Sequence, residues 1–184
     1  MARKSIMAGF MIGFAALLSC CFDNSYFSAL CFSIGLLYIR LSGYYLYTGQ
    51  IQNIKNKSTT WKDLCIGFFA NIAGVGIVLF IAIPIFTENP IVYDHFLHII
   101  NTKWSYPIYY YVFSGVCCGI LMTIATKKDA PLWVSTLCVM AFILAGFNHS
   151  IADWFYIGHE PLNFLKWFLV ILGNFCGGYL VAEK

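Results

Sequence analysis

Six apolar runs, separated by short polar segments, leave this chain very few possible folds. They cover residues 6–22, 25–47, 64–86, 107–126, 131–157 and 163–182. Each is near the length of roughly 20 residues that crosses a hydrocarbon layer as a helix. One soluble core cannot hide all six in a chain this short. Composition agrees: 60% of the 184 residues are apolar and 10% are charged, against about 25% charged in an ordinary soluble domain. Lipid offers no partner to an open backbone amide, so the runs are predicted to be helices. No ten-residue alternation suggests a barrel. The expected fold is an all-α membrane protein, one domain over 1–184 with six transmembrane helices. The first run carries small-residue spacing and reads as a retained helix rather than a cleaved leader.

The polar segments set the expected orientation. Residues 49–63 and 87–105 read as connections, and Lys127-Lys128-Asp129 as a tight turn. Ser58, Thr59 and Thr60 offer caps to the third helix. Tyr44, Tyr45, Tyr47, Trp61, Trp104 and Trp154 sit near helix ends, where an interfacial aromatic belt is expected. With both termini in the cytoplasm, Arg3, Lys4, Lys55, Lys57, Lys62, Lys127, Lys128 and Lys184 fall inside. Lys103 and Lys166 fall outside, the asymmetry that the positive-inside rule asks for. Arg40, within the second run, has no evident partner. The net charge of +3 is not gathered on one face, so no nucleic-acid footprint is present. The eight cysteines lie in apolar runs with no CxxC pair. They read as small hydrophobes, and no cofactor is expected.

The runs also resemble one another. Ala8-Gly9 with Gly13 matches Ser114-Gly115 with Gly119. Leu41-Ser42-Gly43-Tyr44 matches Leu144-Ala145-Gly146-Phe147, and Asn71 with Gly74 matches Asn174 with Gly177. The offsets are 106, 103 and 103 residues. Near-equal offsets in one order suggest a duplicated three-helix unit, about 1–86 and 106–184. An odd number of crossings per unit makes the second copy enter from the opposite side. Two inverted copies place a solute path at their interface, near the midplane. The middle helix of each copy turns polar after its glycine, at 44–49 and 148–153, as expected of broken helices lining a pathway.

His149 stands deep in the fifth run. An ionisable residue at membrane depth is costly and is usually functional, and imidazole exchanges a proton near neutral pH. Asp153 follows four residues on. On the same helical face it favours the imidazolium; alternatively it sits solvated at the interface beside Trp154. Asn71 and Asn174 occupy matched places. Buried amides need partners, and the free backbone groups of the broken helices are the expected ones, which is a structural role.

These residues resemble those of a known family. Gly146-Phe147-Asn148-His149-Ser150-Ile151-Ala152-Asp153-Trp154-Phe155 is similar to the fifth-helix motif of the formate/nitrite transporters. Leu172-Gly173-Asn174-Phe175-Cys176-Gly177-Gly178 resembles their sixth-helix motif, and Leu46-Tyr47-Thr48-Gly49 their omega loop in the broken second helix. The resemblance implies an aquaporin-like fold, a homopentamer with one pore per subunit, and passage of formate, nitrite, hydrosulfide or similar monovalent anions together with protons. It implies that His149 is the central pore histidine and Thr48 its omega-loop partner. Phe32, Leu36 and Phe142 fall at the apolar constrictions, and Lys103 where an anion-attracting lysine stands. The chain departs from the family pattern at Asn148, usually Glu, at Asp153, usually Asn, at Tyr45, usually acidic, and at Gly119, usually Asn. It therefore resembles a minimal, divergent member and no enzyme.

Other classes remain to be separated. A neutral small-solute channel, for water, hydrogen sulfide or ammonia, is compatible with Asn148 and Gly119. A haem protein would draw on His95, His98, His149 and His159, but two of these share one connecting segment. A pore-less scaffold would pass no solute at all.

Overall fold

Polar caps between the apolar runs mark where the helices begin. The structure, a computed structural model, describes residues 1–183; Lys184, counted above among the cytoplasmic cations, lies outside them. The described residues form the helices α1 (Ala2–Ser19), α2 (Ser25–Leu41), α3 (Tyr47–Gln50), α4 (Gln52–Lys55), α5 (Trp61–Glu88), α6 (Pro90–Lys103), α7 (Tyr110–Thr126), α8 (Leu132–Leu144), α9 (Ser150–Phe155) and α10 (Pro161–Leu180). Asn24 caps α2 by accepting from the Phe27 amide at 3.0 Å. Thr60 and Asp63 close a reciprocal capping box at the start of α5, leaving fewer orphan amides. At 28 residues, α5 is about 42 Å long, enough to span a bilayer with its headgroups.

The second and fifth runs are not continuous helices. Gly43 and Gly146 take φ of +59° and +74°, a conformation that glycine adopts without steric cost. At the first, the Tyr44 amide donates to the Ile39 carbonyl and the Gly43 amide to Arg40. At the second, Phe147 donates to Phe142 and Gly146 to Ile143. Both are the same paired helix-ending turn. After each the backbone runs extended, through Leu46 and through His149, before α3 and α9 begin.

The segment 87–105, read above as a connection, instead contains the 14-residue helix α6. Asn89 accepts from the Val92 amide and Pro90 stands in the first turn, a start signal that the sequence carries. Val92, Phe96, Ile99 and Ile100 turn toward the core at helical spacing. The belt reading also needs correction at two positions. Trp61 is 59% exposed, but Trp104 and Tyr47 are buried. The Trp104 indole donates to the Tyr156 carbonyl at 2.7 Å, and Lys166, buried rather than at the outer surface, donates to the Trp104 carbonyl.

The two most extensive helix packings are α1 on α5 and α7 on α10. Glycines allow the close approach. A Cβ on Gly9 would fall 1.9 Å from the Asn71 carbonyl oxygen, and one on Gly119 would fall 2.3 Å from that of Asn174. Gly74 meets the Ile6 carbonyl in the same way, and Gly177 that of Val116. These contacts pair Gly9 with Gly119 and Ile6 with Val116, both 110 residues apart. The first-helix register of 106 is therefore off by four residues, close to one helical turn.

α2 crosses α8, and Arg40 fixes its end. The guanidinium donates to the Ser135 hydroxyl and to the carbonyls of Lys127 and Ala130, tying α2 to the α7–α8 turn. The outer faces are apolar: Phe69, Phe80, Phe113, Trp133, Phe168 and Leu180 are each more than half exposed. So much aromatic and aliphatic surface suits lipid or further subunits rather than water.

Candidate functional site

The break in the fifth run sets the position of His149. Its φ and ψ of −112° and 114° make it the cap residue of α9, and its ring accepts from the Ala152 amide at Nδ1, 3.1 Å away. Nδ1 is therefore an acceptor, and the neutral ring carries its proton on Nε2, a tautomer inferred from this hydrogen bond. Nε2 lies 2.9 Å from the Thr48 hydroxyl, delivered by α3 from the other break. Both side chains are fully buried, with His149 1% exposed.

Two asparagines hold the breaks in place. Asn71 Oδ1 accepts from the Tyr47 amide at 2.7 Å, while its Nδ2 donates to the carbonyls of Ser5 and Tyr45. Asn174 Oδ1 accepts from the Ser150 amide at 2.8 Å, while its Nδ2 donates to Gly115 and Asn148. Each supplies partners to backbone that would otherwise be unsatisfied in an apolar interior.

Apolar side chains complete a wall around the imidazole. The Phe142 ring stacks on His149 at 5.7 Å between centroids, and Phe32 meets Phe142 edge-on at 6.0 Å. Phe32 and Phe142 border a cavity of about 530 Å³ that also holds Lys103, Asp153 and His95. A second cavity, of about 920 Å³, is lined by Ile39, Arg40, Leu46, Gln50 and Lys127. On α2, Phe32 borders the first cavity and Ile39 the second; the buried Leu36 lies between them in the wall.

Asp153 takes neither position considered for it. α9 begins at Ser150, so His149 precedes the helix and the four-residue spacing does not put the two side chains on one face. Asp153 is 1% exposed, which excludes a solvated interfacial carboxylate. It lies 2.8 Å from Lys103 Nζ and accepts from Asn148 Nδ2 at 2.8 Å. Ser114 in turn donates to Asn148 Oδ1. Lys103 closes α6, where a cation suits the helix C-terminus, but its charge is paired rather than presented freely at the mouth. Ser114 is a site residue that sequence reading passed over as a small packing residue. Farther out, His95 Nδ1 lies 3.0 Å from the Cys20 carbonyl and Nε2 faces the Asp23 carboxylate. Both ring nitrogens face acceptors.

Apolar outer faces, two facing helix breaks and a buried imidazole behind two cavities that carry charged side chains fit a membrane transport protein. The sequence profile of the formate/nitrite transporters matches residues 1–183, and the chain belongs to that family. It is 27% identical to the uncharacterized transporter YwcJ of Bacillus subtilis (strain 168), across 82% of this chain and 69% of that protein. Among solved structures, a pentameric formate channel with formate bound superposes with a TM-score of 0.81 at 22% identity, covering 96% of this chain and 91% of that one. An FNT family ion channel gives 0.80 at 20% identity, covering 98% and 86%. At these identities the structural likeness bears on the fold. The chain is thus an all-helical integral membrane protein of a transporter family.

Proposed function

We propose that the protein is a channel or transporter for small monovalent weak-acid anions such as formate, nitrite or hydrosulfide. In this reading six membrane-crossing helices form two inverted three-helix units within one domain, and five copies assemble with one pore each. The termini and the Lys127 side face the cytoplasm. The observation that carries the reading is the Thr48–His149 hydrogen bond, set in an apolar wall with a cavity bearing charged side chains on either side. A bare anion in such a wall loses far more hydration than it regains, so the solute crosses as the neutral acid.

His149 is the proton relay. A proton arriving from a cavity binds Nδ1, at the expense of the Ala152 cap bond, worth about 1 kcal/mol. The Nε2 proton then passes to the anion. The ring is left with its proton on Nδ1, facing the Ala152 amide, and returns to the resting tautomer by taking a proton at Nε2 and releasing the one on Nδ1. Phe32, Leu36 and Phe142 exclude water and the charged form. Asn71 and Asn174 hold the two breaks together.

One observation favours a second reading, a neutral small-solute channel: Asp153 pairs the charge of Lys103, the cation on that side of the wall. Stopped-flow uptake into proteoliposomes separates the two. The anion reading expects saturable formate uptake that nitrite inhibits. Water or ammonia permeation that formate leaves untouched, without formate uptake, supports the neutral-solute reading instead.

A further inference from the structure

The Lys103-side cavity holds one buried ion pair and, nearer its mouth, a histidine beside a carboxylate. Lys103 from α6 meets Asp153 from α9 at 2.8 Å, and His95 from α6 faces Asp23 from the α1–α2 turn. His98 lines the same space. The inner pair is the buried one, Asp153 being 1% exposed. Asn148 donates to the carboxylate from behind and is itself held by the Ser114 hydroxyl. A paired ammonium presents little field to an approaching anion. A lone one in a cleft with low-dielectric walls concentrates anions strongly.

We propose that Asp153 is a specificity-determining residue. By cancelling the charge of Lys103 it weakens the pull of the cavity on anions, so the anion meets His149 at little above its bulk concentration. This rests on the channel reading above and says how strongly the substrate is gathered before the wall. Asp153 does not touch the reacting proton; it acts through Lys103.

Four proteins test this: the wild type, Asp153→Asn, Lys103→Met and the double variant, with formate uptake measured in proteoliposomes at one pH and several salt concentrations. The charge contributed by positions 103 and 153 runs from +1 in Asp153→Asn, through zero in the wild type and the double variant, to −1 in Lys103→Met. The half-saturating formate concentration is expected to follow that order. It falls about tenfold in Asp153→Asn, rises in Lys103→Met and returns toward the wild-type value in the double variant. The gain in Asp153→Asn shrinks as salt rises, because screening acts on a net charge. Asp153→Ser carries the same change in charge and replaces Asp153→Asn if that variant does not assemble. Both single variants shifting in the same direction, or a half-saturation in Asp153→Asn that ignores salt, overturns the proposal while leaving the channel reading in place. A wild type that passes no weak acid removes the channel reading and the proposal with it.

Discussion

At Gly43 and at Gly146 the chain leaves a helix through the same pair of hydrogen bonds, and an asparagine from a neighbouring helix takes the first free amide of the helix that resumes. Beyond that point the two breaks differ. The first presents the Thr48 hydroxyl and no ionisable group at the contact. The second presents His149, with Asn148 and Asp153 connected through Lys103 to the cavity. The shared part answers a requirement that any interrupted helix in an apolar interior must meet, that its backbone groups find partners. In the proposed function the unshared part is where solute and proton are handled. The comparison separates the scaffold from the chemistry: one break serves as a hydrogen-bonding wall for the other's imidazole.

The comparison is most exposed at the asparagines. Asn71→Ala and Asn174→Ala each remove the partner of one amide and two carbonyls. At about 1 kcal/mol per bond, each is expected to destabilise the protein by about 3 kcal/mol, read as thermal unfolding in detergent. A loss at one position without a comparable loss at the other breaks the equivalence of the breaks. Next comes Thr48→Val, which keeps the shape and strands the Nε2 proton of His149. About 1.4 kcal/mol is expected, appearing as a formate uptake rate about tenfold lower. An unchanged rate would mean that the hydroxyl only packs. The smallest effect is expected at the turns themselves. Gly43→Ala and Gly146→Ala place a Cβ in a left-handed conformation at about 1 kcal/mol each. A chemical denaturation midpoint that falls equally in both sharpens the comparison; one that falls in only one weakens it.

Much of the scaffold was legible in the sequence, because hydropathy, glycine and buried amides each carry a direct physical meaning. The six apolar runs, the two interrupting glycines and the pairing of Asn71 with Asn174 follow from such features. Other features were hidden for reasons that can be named. The register of α1 against α7 slipped by four residues because Gly9 and Gly13, like Gly115 and Gly119, repeat at that spacing and match equally well one turn away. α6 was read as a connection because Asp94, His95 and His98 dilute its apolar positions, although Asn89-Pro90 announced its start. Arg40 binds mostly main-chain carbonyls, which no side-chain pattern reveals. The setting of Asp153 was misjudged because four-residue spacing implies one face only inside a helix, and α9 begins at Ser150.

In the proposed function, transport hinges on the imidazole in the wall. Formate uptake by wild type and by His149→Phe, reconstituted at matched protein density over a range of pH, addresses it directly. Wild-type uptake is expected to rise as the falling pH supplies the relay with protons, and uptake in the variant to be lower by about tenfold or more, with assembly intact by size-exclusion chromatography. Uptake by His149→Phe that matches the wild type at every pH would contradict the relay.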